Sequence, residues 1–202
     1  MSRRVVITGT GILSPIGNST HEFCRGLKDG TNGISPITLF DTNTFNVHIA
    51  GEVIINMFGG VGMFSLLAAK NTSCTVYNID LNPVAAQLCK ENIQINKLKG
   101  EVISLNGDAT EVINEQLVGK ADRVLMLLPE RSDEFLDSAL NGLKDKGIIH
   151  YYSHMHADKK QDAGKLSEEH FMSVNKTNAD IITSRNVRPV GPRFYQTVVD
   201  VK

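Results

Sequence analysis

From about residue 54, short apolar runs alternate with longer segments in which apolar residues recur every three or four positions. Ile54-Ile55-Asn56-Met57-Phe58 ends in Gly59-Gly60-Val61-Gly62, and the good helix formers of Ser65 to Lys70 follow. That is the pattern of a strand, a tight turn and a helix start. Cys74 to Ile79 reads as a second strand with Asp80 at its tip. Asn82-Pro83 then supplies an N-cap and a first-turn proline for a helix carrying Val84, Leu88, Ile93 and Ile95 among Lys90, Glu91 and Lys97. Val102 to Asp108 is a third strand ending in an acid, and that acid is placed to cap a helix from Ala109 to Leu117. Ala121 to Leu128 makes a fourth strand. After Pro129-Glu130, Ser132 stands where it would cap a helix with Phe135, Leu136, Ala139, Leu140 and Leu143 on one side. Gly147 to Tyr152 is a buried fifth strand and Glu168 to Ala179 a helix. Ile181 to Val201 folds back on itself around a Pro/Gly turn. The alternation predicts an α/β fold: a mainly parallel sheet with an antiparallel C-terminal hairpin.

The first fifty residues follow a different pattern. Arg3 to Gly9 reads as a strand, Gly9-Thr10-Gly11 as a turn, Ser19 to Lys28 as a short helix, and 32–46 as irregular, which together form a small β-α appendage. Gly9-Thr10-Gly11 lacks the third glycine and the acid-tipped second strand of a dinucleotide fingerprint.

Composition narrows the class. The chain has 202 residues, of which 41% are hydrophobic, enough to bury a core. No apolar run approaches the roughly 20 residues of a membrane span, and the start shows no signal-peptide pattern, so a cytoplasmic protein is expected. The three cysteines, Cys24, Cys74 and Cys89, form no C-x-x-C pair and read as reduced structural thiols. A net charge of −1 gives no global attraction to nucleic acid, so any RNA contact must be local. Arg185, Arg188 and Arg193, with Lys202, are the cations available in the terminal hairpin. His150, His154 and His156 would share one face of a continued strand. No further ligand of matching spacing follows closely, so no metal site is predicted.

The chemistry concentrates on the glycine turn. Glycines let the backbone approach a ligand that any Cβ would hold away, and the helix that follows offers unpaired N–H groups. An acid at the tip of the next strand stands where it accepts from both ribose hydroxyls. Gly59 to Gly62 with Asp80 therefore point to an adenosine-containing cofactor.

Two resemblances sharpen this. INMFGGVGMFSLLAAK, CTVYNIDLNPVAAQLCKENIQINK, VISLNGDA, ADRVLMLLPE and GIIHYY resemble the catalytic domain of the archaeal and eukaryotic tRNA (guanine-N1)-methyltransferases, class I enzymes that use S-adenosyl-L-methionine. The resemblance implies a Rossmann-like class I methyltransferase fold over residues 54–202 and methylation of tRNA guanine N1 next to the anticodon. Its cofactor residues would be Asn56, Phe58, Gly59, Gly60, Val61, Gly62, Asp80, Asn82, Asp108 and Ala109, with the glycine turn on the methionine part, Asp80 on the ribose and Asp108 on the adenine. Pro129 and Glu130 would flank the chemistry, and Arg185, Arg188 and Arg193 would meet RNA.

Departures from the family pattern matter. Asn56 stands where the family usually has an acid. Losing a charge-assisted hydrogen bond of about 1.5–3 kcal/mol implies roughly tenfold to a hundredfold weaker binding. Leu127 replaces the asparagine of an Asn-Leu-Pro loop and can neither donate nor accept. The family's catalytic arginine and glutamate come from sequence upstream of the glycine turn, which has no counterpart here, so turnover is expected to be impaired. A sister group moves an aminocarboxypropyl group onto tRNA with the same fold and cofactor, and its loop also lacks that asparagine; it stands as the alternative, beside an inactive cofactor-binding scaffold.

Residues 3–53, RRVVITGTGILSPIGNSTHEFCRGLKDGTNGISPITLFDTNTFNVHIAGEV, resemble the amino-terminal segment of the β-ketoacyl-acyl-carrier-protein synthases, without that family's nucleophile context. Two segments, 1–53 and 54–202, are expected, joined as a chimera near Gly51-Glu52-Val53.

Overall fold

The computed structural model describes residues 52–177 and 179–202, together with His21, Cys24, Arg25 and Lys28, which are helical and exposed. The strand expected over 3–9, the turn at 9–11 and the irregular stretch 32–46 lie outside the described residues. Contacts divide the chain into Met1–His48 and Ile49–Lys202, and everything below concerns the second unit.

Seven strands form one sheet: β1 (Val53–Asn56), β2 (Thr75–Asp80), β3 (Glu101–Asn106), β4 (Ala121–Met126), β5 (Leu143–His156), β6 (Ile181–Gly191) and β7 (Phe194–Val201). Their order is β3-β2-β1-β4-β5-β7-β6. β1 to β5 run parallel, and β7 lies antiparallel between β5 and β6, which is the predicted hairpin at the sheet edge. The helices are α1 (Met63–Asn71), α2 (Pro83–Ile95), α3 (Ala109–Val112), α4 (Ser132–Gly142) and α5 (Ala163–Val174).

Successive strand residues point to opposite faces, and β1 shows what this does. Ile54 joins Val76, Val102, Ala69, Cys74 and Cys89 in a smaller core beneath α1 and α2. Ile55 joins Ile79, Val124, Met126, Ile149 and Tyr151 in the larger core, closed by Val112, Phe135, Leu136, Ala139 and Phe171. Of the predicted side of α4, Phe135, Leu136 and Ala139 are buried and Leu140 is half-buried, while Leu143 falls past the helix end at the start of β5. On α2 the buried residues are Ala86 and Cys89, whereas Val84, Leu88 and Ile95 are exposed.

Local departures have local causes. Ser132 does not cap α4: the cap position is Arg131, and the Ser132 hydroxyl turns back to donate to the Leu128 carbonyl at 2.9 Å. The expected helix over 168–179 instead begins at Ala163, where the Asp162 carboxylate accepts from Gly164 N–H at 2.8 Å, and ends at Val174. Downstream of α3, Ile113–Leu117 widens into a π turn. β5 runs past Tyr152 to His156 because β7 supplies a partner for every residue from Ile149 onward.

A row of charges crosses the strands on one face. Glu52 pairs with Arg123 at 3.1 Å, Arg123 Nη1 donates to His150 Nε2 at 3.2 Å, and His150 Nδ1 donates to Asp200 at 2.7 Å. Arg185 closes the row on Asp200 at 3.1 Å.

Candidate active site

The sheet order reverses direction between β1 and β4, and in open α/β sheets the crevice outside the carboxyl ends at that point receives ligands. A cavity of about 240 Å³ lies there, lined by Met57, Phe58, Asp80, Leu81, Asp108, Ala109, Leu128, Arg131 and Phe135. It brings together Phe58, Asp80, Asp108 and Ala109 from the sequence-based set. A second hollow, of about 530 Å³, opens at the other end of β5 among Leu140, Leu143, Lys144 and Lys202 and contains none of these residues.

The glycine turn is held from below. Gly59 N–H donates to the Ile79 carbonyl at 2.8 Å, Gly62 N–H to the Gly59 carbonyl at 2.9 Å, and Gly60 N–H to Asp80 Oδ2 at 2.7 Å. Asn92 Nδ2 donates to the Val61 carbonyl at 2.9 Å. Gly60 and Gly62 have φ of 52° and 92°, left-handed values that favour glycine. A Cβ on Gly60 would meet nothing within 4 Å, so the outer side of the turn faces open space. Gly62 is also the cap position of α1, which has neither a side-chain cap nor an acid in its first turn, so its leading N–H groups remain for an anionic group.

The acids keep acceptor capacity. Asp80 takes one backbone N–H on each oxygen, from Gly60 at 2.7 Å and Asn82 at 2.9 Å, and each carboxylate oxygen has a second lone pair. Asp108 caps α3 through Oδ1 alone, accepting from Thr110 N–H at 2.8 Å and Glu111 N–H at 3.4 Å; among the described residues nothing bonds to its Oδ2. The Asn82 side chain is committed to Val84 N–H at 2.9 Å and sits on the surface as the α2 cap.

Asn56 is fully buried, and its Nδ2 donates to Ser65 Oγ at 3.2 Å. Its Oδ1 has no hydrogen-bond partner among the described residues. A buried acceptor at the base of a glycine turn, ending a strand beside the cavity, fits a ligand that carries a hydrogen-bond donor.

Sequence reasoning missed several members. Phe135 packs edge-on against Phe58 with ring centroids 4.9 Å apart, and the Arg131 guanidinium lies 5.3 Å above the Phe135 ring. Ser65 and Asn78 are buried beneath the turn. The signal for Asn78 was present: a polar residue at an inward position of an otherwise apolar strand.

Glu130 is exposed, and its Oε1 lies 3.7 Å from His154 Nδ1. The His154 ring lies 5.6 Å from Phe194. The three β5 histidines diverge in use: His150 is bound to Asp200, His154 faces Glu130, and His156 is exposed. In the hairpin, Arg185 faces Asp200 at 3.1 Å and Arg193 faces Asp158 at 2.9 Å, whereas Arg188 bonds the neutral Gln196 at 2.8 Å. The patch is therefore less positive than its arginine count. Among the described residues no helix is long and apolar enough to cross a membrane.

The fold has known counterparts. A family model described as the TRM5/TYW2 methyltransferase domain matches residues 43–178, and one for the beta-ketoacyl synthase N-terminal domain matches residues 2–62. The chain is 39% identical over 152 residues to the tRNA 4-demethylwyosine(37)-methyltransferase Taw21 of Saccharolobus solfataricus, covering 75% of this chain and 54% of that protein. It is 38% identical over 152 residues to the tRNA (guanine(37)-N(1))-methyltransferase Trm5b of Methanocaldococcus jannaschii, covering 75% and 40%. A tRNA(Phe) (4-demethylwyosine(37)-C(7)) aminocarboxypropyltransferase of the same organism is 34% identical over 154 residues, covering 75% and 59%. Among solved structures, M. jannaschii TYW2 in complex with AdoMet superposes with a TM-score of 0.64 at 31% identity, covering 76% of this chain and 68% of that one. The chain thus spans about half the length of these curated relatives.

Proposed function

The chain belongs to the TRM5/TYW2 methyltransferase domain family, and from that membership we propose that it binds S-adenosyl-L-methionine and methylates N1 of a tRNA guanine next to the anticodon, in the cytoplasm. The observation that carries the reading is the cavity at the β1/β4 reversal, lined by Asp80 and Asp108 with acceptor capacity to spare, with the glycine turn bonded to Asp80.

When bound, the cofactor supplies an electrophilic methyl group on a sulfonium. The remaining roles belong to this chain. Asp80 accepts from the ribose hydroxyls, and Asp108 Oδ2 from the adenine amine, with Phe58, Ala109 and Phe135 as apolar walls. Gly59, Gly60, Val61 and Gly62 cradle the methionine part. The leading N–H groups of α1 would receive its carboxylate, and Asn56 Oδ1, the buried acceptor without a partner among the described residues, would accept from its ammonium. Asn82 shapes the start of α2 beside the ribose.

Guanine N1 carries a proton and has no lone pair free to attack, so a base must take that proton as the methyl group moves. Glu130, behind Pro129 and near His154, is the base offered here. Leu127 adds no polar contact, and the absence of such a contact costs on the order of a hundredfold to a thousandfold in rate, so turnover is slow. Arg185, Arg188 and Arg193 contact tRNA phosphates.

Calorimetric titration of the chain with S-adenosyl-L-methionine tests the reading. Saturable binding that Asp80→Ala weakens is the expected result. No binding at millimolar ligand would overturn it and leave an inactive scaffold.

The Leu127 loop and the aminocarboxypropyltransferase relative favour a second reading, transfer of the cofactor's aminocarboxypropyl group. Product mass separates one added methyl from a four-carbon amino-acid chain. Residues 1–53 and 54–202 are, in this proposal, segments of different parentage. The two family matches overlap only at 43–62, which supports a junction there, and a natural gene encoding the uninterrupted chain would count against it.

A further inference from the structure

Three fully buried side chains, Asn56, Ser65 and Asn78, form a hydrogen-bonded row beneath the glycine turn. Its direction is dictated from one end. The Gly60 carbonyl can only accept, and Asn78 Nδ2 donates to it at 3.2 Å. The other end of that amide, Oδ1, then faces Ser65, whose hydroxyl donates to it at 2.6 Å. A serine has one hydroxyl proton. With that proton committed, Ser65 Oγ can only accept from its other neighbour, and Asn56 Nδ2 donates to it at 3.2 Å. The last amide in the row therefore holds out its oxygen, and that oxygen is the buried atom without a partner among the described residues.

We infer that Ser65 and Asn78 are positioning residues that set the hydrogen-bond polarity of Asn56, keeping its acceptor end, and not its donor end, for the ammonium of the cofactor's methionine part. The inference rests on the cofactor reading above; what it adds is the row of side chains that orients the contact. Gly59 belongs to the same arrangement, because a Cβ there would lie 2.1 Å from Asn78 Oδ1.

The row makes substitutions interdependent. Asn56→Asp brings a charge suited to an ammonium but no N–H for Ser65. The Ser65 proton is held by Asn78, so the new carboxylate faces lone pairs. Asn78→Ala frees that proton, which then donates to Asn56 Oδ1, and the amide turns its NH₂ toward the ammonium, donor against donor. Each single change weakens the contact. Together they are compatible: Ser65 donates to one carboxylate oxygen, and the other meets the ammonium.

The test is calorimetric titration of the parent, both single variants and the double variant with two ligands. One is S-adenosyl-L-methionine; the other is 5′-methylthioadenosine, which keeps the adenosine and the thioether but lacks the amino-acid end. The readout is the preference for the first ligand over the second, because a role confined to structure moves both affinities together, and retained 5′-methylthioadenosine binding certifies a folded pocket. The expected result is a preference reduced about tenfold in each single variant, the worth of one hydrogen bond to a charged group, and restored to the parental value or beyond in the double variant. Either single variant suffices for the first part should the other not fold. An unchanged preference in a single variant that binds 5′-methylthioadenosine, or a double variant as poor as the product of the singles, overturns the inference alone. No binding of either ligand by the parent overturns the cofactor reading with it.

Discussion

Gly59 offers a test that needs no ligand. Its backbone is not in the left-handed region, so the reason for a glycine lies in what surrounds it. A Cβ would stand 2.1, 2.3 and 2.4 Å from Asn78 Oδ1, Cγ and Nδ2. Asn78 is fully buried, so its amide must leave its place altogether. That breaks the bonds to the Gly60 carbonyl and the Ser65 hydroxyl, each worth about 0.5–1.5 kcal/mol net, and strands their buried partners at further cost. Gly59→Ala should therefore destabilise by roughly 2–4 kcal/mol. For a unit of this size each kcal/mol lowers Tm by about 2–4 °C, so a fall of roughly 5–15 °C is expected. In an Asn78→Ala background, where the atoms in the way and the two bonds are both already gone, the same Gly59→Ala change should cost little further. Thermal unfolding of the full chain followed by circular dichroism measures both. A Gly59→Ala protein melting within about 2 °C of the parent, or a Gly59→Ala change that costs as much in the Asn78→Ala background as in the parent, would refute the account.

Two further outcomes are expected. Burial alone would push the Asp200 carboxyl up, but the hydrogen bond and charge of His150 and the charge of Arg185 outweigh it and hold it below its usual range. A carboxyl depressed in the folded state adds stability that is complete above its unfolded value near pH 4 and is lost as pH falls through its folded value. Urea midpoints should therefore drop below about pH 4, less steeply in Asp200→Asn than in the parent, and equal slopes would refute the assignment. For tRNA, the log–log salt dependence of affinity should become shallower by roughly one on Arg188→Ala. It should change less on Arg185→Ala, whose guanidinium already faces Asp200; equal changes in filter binding would argue against that distinction.

The alternation of strands and helices, the hairpin and the acids at the tips of β2 and β3 were legible because each rests on local pattern: β-branched runs, glycine and proline punctuation, an Asn-Pro cap. The misreadings were also local. Ser132 looked like a cap because serine caps helices, but its hydroxyl found the Leu128 carbonyl instead. The start of α5 was placed late because Asp162, its actual cap, sits in a polar stretch without apolar periodicity. What no local pattern carried was pairing across the sheet. Phe58 against Phe135, His154 opposite Glu130 and Asp158 beside Arg193 join residues from different elements, and only the fold brings them together.

Asn56 shows why such pairings change the meaning of a residue. Taken alone, an amide in place of an acid reads as a weakened contact. In the structure it belongs with Ser65 and Asn78, and a carboxylate there would face a serine whose proton is already committed. The amide is then the residue that this neighbourhood accepts, and Gly59 is the residue that gives Asn78 its space. Asn56, Gly59 and Asn78 thus form one co-adapted set, and an acid at position 56 improves the site only in company with a change at position 78.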